Sequence, residues 1–303
     1  MKWHLHACAL AVLVACGTEA ETETPSSDAG SPPADAATPV DAGIDVSDED
    51  AIAPCGERIT VERPDDATGY QLKVMYALPS DGVDEQLDTC GAIARSIAAI
   101  TTWFVKESGG VKPRWDTFGG ALDVAFVRVA KTDAEIAARG AYVRDELEDA
   151  VAAAGFTDPK KIYAVYYGGS STYSCGGGAY PPTLYGHVAA LYLKGLQTAQ
   201  YPCASNPVGA SATKPGYFEF AILHESFHTM GAAAICAPHQ TMTGHVSDGN
   251  DDLMYAGSMP WYPAHLDNGH DDYWQHTNTG CVDLSKSVFM DPLPANALAP
   301  PGW

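Results

Sequence analysis

Positive charge is scarce in this sequence of 303 residues: 17 Lys and Arg stand against 38 Asp and Glu, giving a formal net charge of −21. A chain without a basic stripe cannot neutralise a run of phosphates, which argues against a nucleic-acid partner. The same shortage argues against binding to anionic lipid through a polybasic patch. Attachment to a membrane would therefore need something other than a basic patch.

Several other signals are also missing from the sequence. It contains no CxxC pair, so a Cys-rich zinc site is not expected. It contains no GxSxG motif, which disfavours a Ser hydrolase. The apolar run at residues 7–15 is too short to span a bilayer, which takes about 20 residues. The hydrophobic content of 46% is nevertheless sufficient for a sizeable core.

The N-terminal apolar run is typical of a secretory signal peptide. It ends in Leu-Val-Ala-Cys, with the cysteine at Cys16, and this ending resembles the lipobox of bacterial lipoproteins. The resemblance implies a signal peptide at residues 1–16 and a lipid anchor on Cys16. Gly17 follows instead of the Asp that retains lipoproteins in the inner membrane, which favours the outer membrane or the cell surface.

Composition predicts the organisation of the rest of the chain. Residues 17–54 contain ten acidic residues and no Lys or Arg, which indicates a disordered tether. Residues 55–303 are expected to form one domain. An even set of six cysteines in an exported domain suggests disulfides, and six cysteines permit 15 pairings. Proximity in the sequence favours the pairs Cys55–Cys90, Cys175–Cys203 and Cys236–Cys281.

Hydrophobic periodicity predicts an α+β domain. The expected strands cover residues 70–78, 122–129, 162–167 and 186–193, and the expected helices cover 84–106 and 132–154. This alternation suggests a mixed twisted sheet with two long helices backing one side. Residues 168–182, rich in Gly, Ser, Tyr and Pro, are predicted to be a loop.

One motif carries specific chemistry. His224, Glu225 and His228 form an HExxH pattern within an apolar stretch that predicts a helix. The i, i+4 spacing places both imidazoles on one face of the helix, where they can bind one zinc ion. Glu225 beside them can take a proton from a water molecule that the metal polarises.

The residues that follow resemble the metzincin metalloproteases, whose pattern is HExxHxxGxxH followed by a Met-turn. Gly231 matches this pattern, and Met254 lies in an Asp-Leu-Met-Tyr stretch similar to the Met-turn. The resemblance implies a zincin fold with an HExxH helix and a loop-rich C-terminal part. It also implies an edge strand that binds substrate in extended form, for which residues 186–192 are the matching segment.

The third zinc ligand is not fixed by this resemblance, because Ala234 stands where the pattern has its last His. His239 and His245 compete equally for that position, with Asp248 and His270 behind them as ligand types. Asp271 and Asp272, like Asp248, also raise the question of calcium.

These expectations define a zinc-dependent endopeptidase acting on peptide or protein substrates, with Glu225 as general base. The alternative is a surface lipoprotein that binds zinc without catalysis and serves in adhesion or recognition. A structural envelope lipoprotein with an accidental HExxH is a third interpretation. Stoichiometric zinc and an open cleft beside it distinguish among them.

Overall fold

A computed structural model describes residues 55–196, 203, 207–241, 244–257 and 260–303. The predicted signal peptide, Cys16 and the tether at 17–54 lie outside these residues. Within the described ranges, no helix is long and apolar enough to cross a membrane.

A mixed sheet forms the centre of the described structure. Its five strands are β1 (Gln71–Leu78), β2 (Val124–Arg128), β3 (Lys161–Tyr167), β4 (Gly176–Tyr180) and β5 (Leu184–Tyr192). The order across the sheet is β2-β1-β3-β5-β4, parallel throughout except that β4 runs antiparallel to β5. The fold is therefore mixed α+β with a mixed sheet, as the sequence predicts.

Helices cover both faces of this sheet. The described residues form four α-helices: α1 (Ala92–Glu107), α2 (Asp133–Ala137), α3 (Val143–Ala153) and α4 (Tyr217–Met230). α1 and α4 pack on one face, and α2 and α3 on the other. The expectation of helices on one side only is wrong. Every residue of β1 and β3 is buried, and strands buried on both faces need cover on both.

Glycines account for two helix boundaries that differ from the predictions. α1 begins at Ala92 because Gly91, with φ 78°, adopts the left-handed conformation. The helix predicted at 132–154 is interrupted at Gly140, whose φ of 58° separates α2 from α3. The hydrophobic periodicity continues through such positions, so a prediction from periodicity alone does not detect where the helix is interrupted.

The edge of the sheet also differs from the prediction. β5 pairs with β3 on one side and with β4 on the other, so residues 186–192 are not an exposed edge. The edge strand on this side of the sheet is β4, which lies within the segment predicted to be a loop. Three consecutive glycines, Gly176–Gly178, hide this strand from propensity arguments, because glycine is depleted in strands.

Three disulfides are present among the described residues, and they join the pairs that proximity favours. They are Cys55–Cys90, Cys175–Cys203 and Cys236–Cys281. Such bonds form and persist in oxidising environments, which agrees with an exported protein.

Candidate metal centre

Helix α4 is largely buried and carries His224, Glu225 and His228. It lies on β4 and β5 and against the C-terminal part of the chain. At its start the Glu219 carboxylate accepts the N–H of Gly216 at 2.8 Å and that of Gly209 at 3.0 Å. It ends at Gly231, whose φ of 88° is the left-handed conformation that commonly terminates helices. Both ends of the helix are therefore defined, and so is the position of each residue along it.

Three imidazoles converge beside this helix. The Nε2 atoms of His224 and His228 are 3.0 Å apart, and Nε2 of His245 lies 3.2 Å from that of His228. Ligands bound about 2.0–2.1 Å from a tetrahedral ion are separated by roughly 3.3 Å, so these distances match the spacing around one metal. His245 therefore lies close to His224 and His228, the two metal ligands predicted on the helix.

Burial keeps two of these rings neutral. It lowers the pKa of His224 to about 3, with the nearby His245 as a second cause, and lowers that of His228 well below its usual value. A neutral imidazole has a free lone pair on one nitrogen, which metal binding requires.

A backbone carbonyl selects which nitrogen of His224 carries the hydrogen. Nδ1 of His224 lies 2.7 Å from the carbonyl oxygen of Leu253. Because a carbonyl only accepts, Nδ1 is the donor, and in the neutral ring the lone pair is on Nε2, facing the other histidines. Met254, the next residue, is fully buried in the same cluster as Leu223 and Phe227 of α4.

Glu225 lies against Gly176 and Gly178, two of the three glycines of β4. Burial raises the pKa of Glu225 to about 8, and the nearby backbone N–H of Gly178 opposes this rise. A Cβ added at Gly176 would lie 2.5 Å from Oε1 of Glu225, and one added at Gly178 would lie 2.3 Å from the Glu225 carbonyl oxygen. Only glycine permits β4 to approach the helix this closely.

Two cavities meet at Glu225 and give the site access on both sides. One, of about 490 Å³, is also lined by Leu196, Ala221, His224, Tyr255 and Trp261. The other, of about 410 Å³, is also lined by Arg144, Tyr180, Leu184, His228 and His245. Tyr173, Ser174, Cys175 and Tyr217 line both. The arrangement is a cleft that passes across the three histidines.

We expect Gly178→Ala to destabilise the fold by about 1–3 kcal/mol, because the new methyl group overpacks β4 against α4. Chemical denaturation of the purified variant measures this change. Gly56→Ala is the matched control, since its Cβ would meet only the Thr89 carbonyl oxygen at 3.7 Å. Equal stability of both variants would contradict the close approach of β4 to the helix.

His239 lies in a different cluster from the three converging histidines. Its Nδ1 is 3.0 Å from Oδ2 of Asp272, and Asp248 and Asp271 complete the group. The hydrogen bond to Asp272 raises the pKa of His239. His270 belongs to neither group. The acidic residues that raise the question of calcium are thus gathered around His239.

A second cluster of carboxylates contains Glu62, Asp116 and Asp123, and lysines neutralise it. Asp116 and Asp123 are buried beside Lys73 and Lys161 at the sheet, and Lys161 Nζ lies 2.9 Å from Asp116 Oδ2. These ammonium groups occupy the position that a cation would take.

Two functional contacts escaped the sequence prediction. The Leu253 carbonyl belongs to the backbone, so residue type gives no signal for it. The run Gly176–Gly178 did carry a signal, because consecutive glycines often mark a close approach of the backbone.

Comparison with protein-family models gives no match, and no curated protein matches the chain. Among solved structures the chain is similar to one titled "Structure of a chaperone-substrate complex", with 12% sequence identity and a TM-score of 0.32. The match covers 72% of this chain and 33% of the other, so it spans about a third of that solved chain. A likeness at this level says nothing about function.

Proposed function

We propose that this protein is a zinc-dependent endopeptidase of the metzincin-like kind. The observation that carries the proposal is the convergence of His224, His228 and His245 next to Glu225 in an open cleft. Catalytic zinc sites use three protein ligands of this type and leave one position free.

The donor set fits zinc well. Three imidazole nitrogens suit zinc, whereas calcium and magnesium prefer oxygen ligands. His224, His228 and His245 would hold the ion through Nε2. When bound, zinc polarises a carbonyl as a Lewis acid and lowers the pKa of a water molecule.

The remaining steps fall to residues of the chain. The Glu225 carboxylate, ionised when the charge of a bound cation lowers its pKa, accepts a proton from the attacking water and delivers it to the leaving amine. The carboxylate lies against Gly176 of β4, and Glu225 and His228 line the same cavity. Cavities on both sides of Glu225 provide room for side chains before and after the bond that is cut. This supports cleavage within a chain, and it favours catalysis over the alternative of a zinc-binding adhesion module.

The lipid anchor on Cys16 and the surface location belong to the same proposal. They are supported by the lipobox-like ending of the signal peptide and by the disulfides.

Metal removal tests the function directly. We expect the purified full-length protein to contain one zinc per chain and to cut internal bonds in a peptide library analysed by mass spectrometry. A chelator should abolish cleavage, and added zinc should restore it. Stoichiometric zinc without cleavage of any peptide would support the non-catalytic alternative, and absence of zinc would contradict both functions.

A further inference from the structure

The turn at residues 252–254 contacts two of the segments that carry the histidines. The Leu253 carbonyl oxygen accepts from His224 Nδ1 at 2.7 Å. The Met254 carbonyl oxygen accepts the N–H of Val246, which follows His245, at 3.0 Å. The position of this one turn therefore affects both His224 and His245.

A buried carboxylate holds the turn. Asp252 is fully buried, and its Oδ1 accepts the N–H of Met254 at 2.6 Å. The Tyr273 hydroxyl lies 2.8 Å from the same oxygen and also contacts the Leu266 carbonyl oxygen, and the N–H of Asn268 donates to Oδ2 at 2.8 Å. Trp261 Nε1 donates to the Asp252 carbonyl oxygen at 2.9 Å. Contacts from three other parts of the chain thus fix the turn.

We infer that Asp252 and Tyr273 are positioning residues of the metal centre: they fix the turn whose carbonyls orient His224 and the backbone beside His245. The inference rests on the proposed metal-binding function, and it does not depend on catalysis. If the Leu253 carbonyl moves, His224 can rotate or place its hydrogen on Nε2, and either change removes a lone pair from the site.

Zinc affinity of the full-length protein tests this inference. Tyr273→Phe removes one hydroxyl and keeps the ring, and we expect the zinc Kd to rise about 10-fold. Asp252→Asn alters the acceptor itself, and we expect a rise of about 100-fold. Both Kd values are measured by competition with a chromogenic chelator. Absorption spectra of the cobalt-substituted proteins report whether the ligand geometry has changed.

Tyr166→Phe is the matched control for the tyrosine variant. Tyr166 is also fully buried, and its hydroxyl lies 2.8 Å from Ser96 Oγ, in the packing between β3 and α1. We expect this variant to lose stability to urea, as Tyr273→Phe does, because each loses the hydrogen bonding of a buried hydroxyl group. Its zinc Kd and its cobalt spectrum should equal those of the wild type.

The outcomes are distinct. Wild-type zinc affinity and unchanged cobalt spectra in both Tyr273→Phe and Asp252→Asn would overturn the inference while leaving the proposed function intact. Equal weakening by Tyr166→Phe would also overturn it, because the effect would then be one of general stability. A wild-type protein that binds no zinc would contradict the proposed function itself.

Discussion

Glu225→Gln is expected to reduce peptide hydrolysis by about 10²–10⁴-fold, the usual contribution of a positioned general base. The amide has nearly the same shape as the carboxylate, so it should fit against Gly176 of β4 in the same way. It cannot take a proton from water at neutral pH, so the chemical step loses its base. Rates of cleavage of a fluorogenic peptide, measured at saturating zinc, give the effect.

Two measurements separate a loss of chemistry from a loss of structure. The zinc content of Glu225→Gln should remain at the wild-type value, because His224, His228 and His245 are unchanged. Glu219→Gln is the matched control: it is the same change on the same helix, at a buried carboxylate that caps the helix and does not line the cleft. It should lower stability and leave turnover at the wild-type level. Full activity of Glu225→Gln would refute the role of Glu225.

His245→Ala is expected to weaken zinc binding by about 100-fold or more. Structural zinc sites with four ligands bind with roughly 10–16 kcal/mol, which is on the order of 3 kcal/mol per ligand. Removal of one of three imidazoles should therefore leave little zinc on the purified protein. Elemental analysis after dialysis against a weak chelator measures the loss.

His239→Ala is the comparison that makes this prediction specific. Both substitutions remove a histidine from the same loop, but His239 faces Asp272 and lies outside the group of three. The N–H of Ser247 bonds to the backbone oxygen of His239, so that contact survives the substitution. We expect His239→Ala to keep its zinc. Loss of zinc in His239→Ala and retention in His245→Ala would reverse the assignment.

Much of the fold could be predicted because its signals are local. Leu72, Val74 and Tyr76 alternate along one side of β1, β3 is an apolar run after Lys161, and the apolar stretch that ends at Gly231 marks α4. An apolar run such as β3 also implies cover on both faces of the sheet, a consequence that periodicity within single elements does not express. β4 was missed because Gly176–Gly178 form a strand only where α4 and β5 pack against them.

The histidine that joins His224 and His228 could not be selected from the sequence, because backbone pairing within a loop determines which one it is. The N–H of Thr241 bonds to the His245 carbonyl, and the N–H of Val246 bonds to the Met254 carbonyl. These contacts place His245 beside α4 and leave His239 with Asp272. Residue type is the same at both positions, so only the path of the chain distinguishes them.

The disulfide between Cys175 and Cys203 lies at the wall of the cleft. Cys175 directly precedes β4 and lines both cavities, and its carbonyl oxygen accepts the N–H of Tyr192 at 2.9 Å. A copy of the chain still in the reducing cytoplasm lacks this brace. If the chain is exported as proposed, this wall of the cleft is therefore linked by the disulfide only once the chain reaches an oxidising compartment.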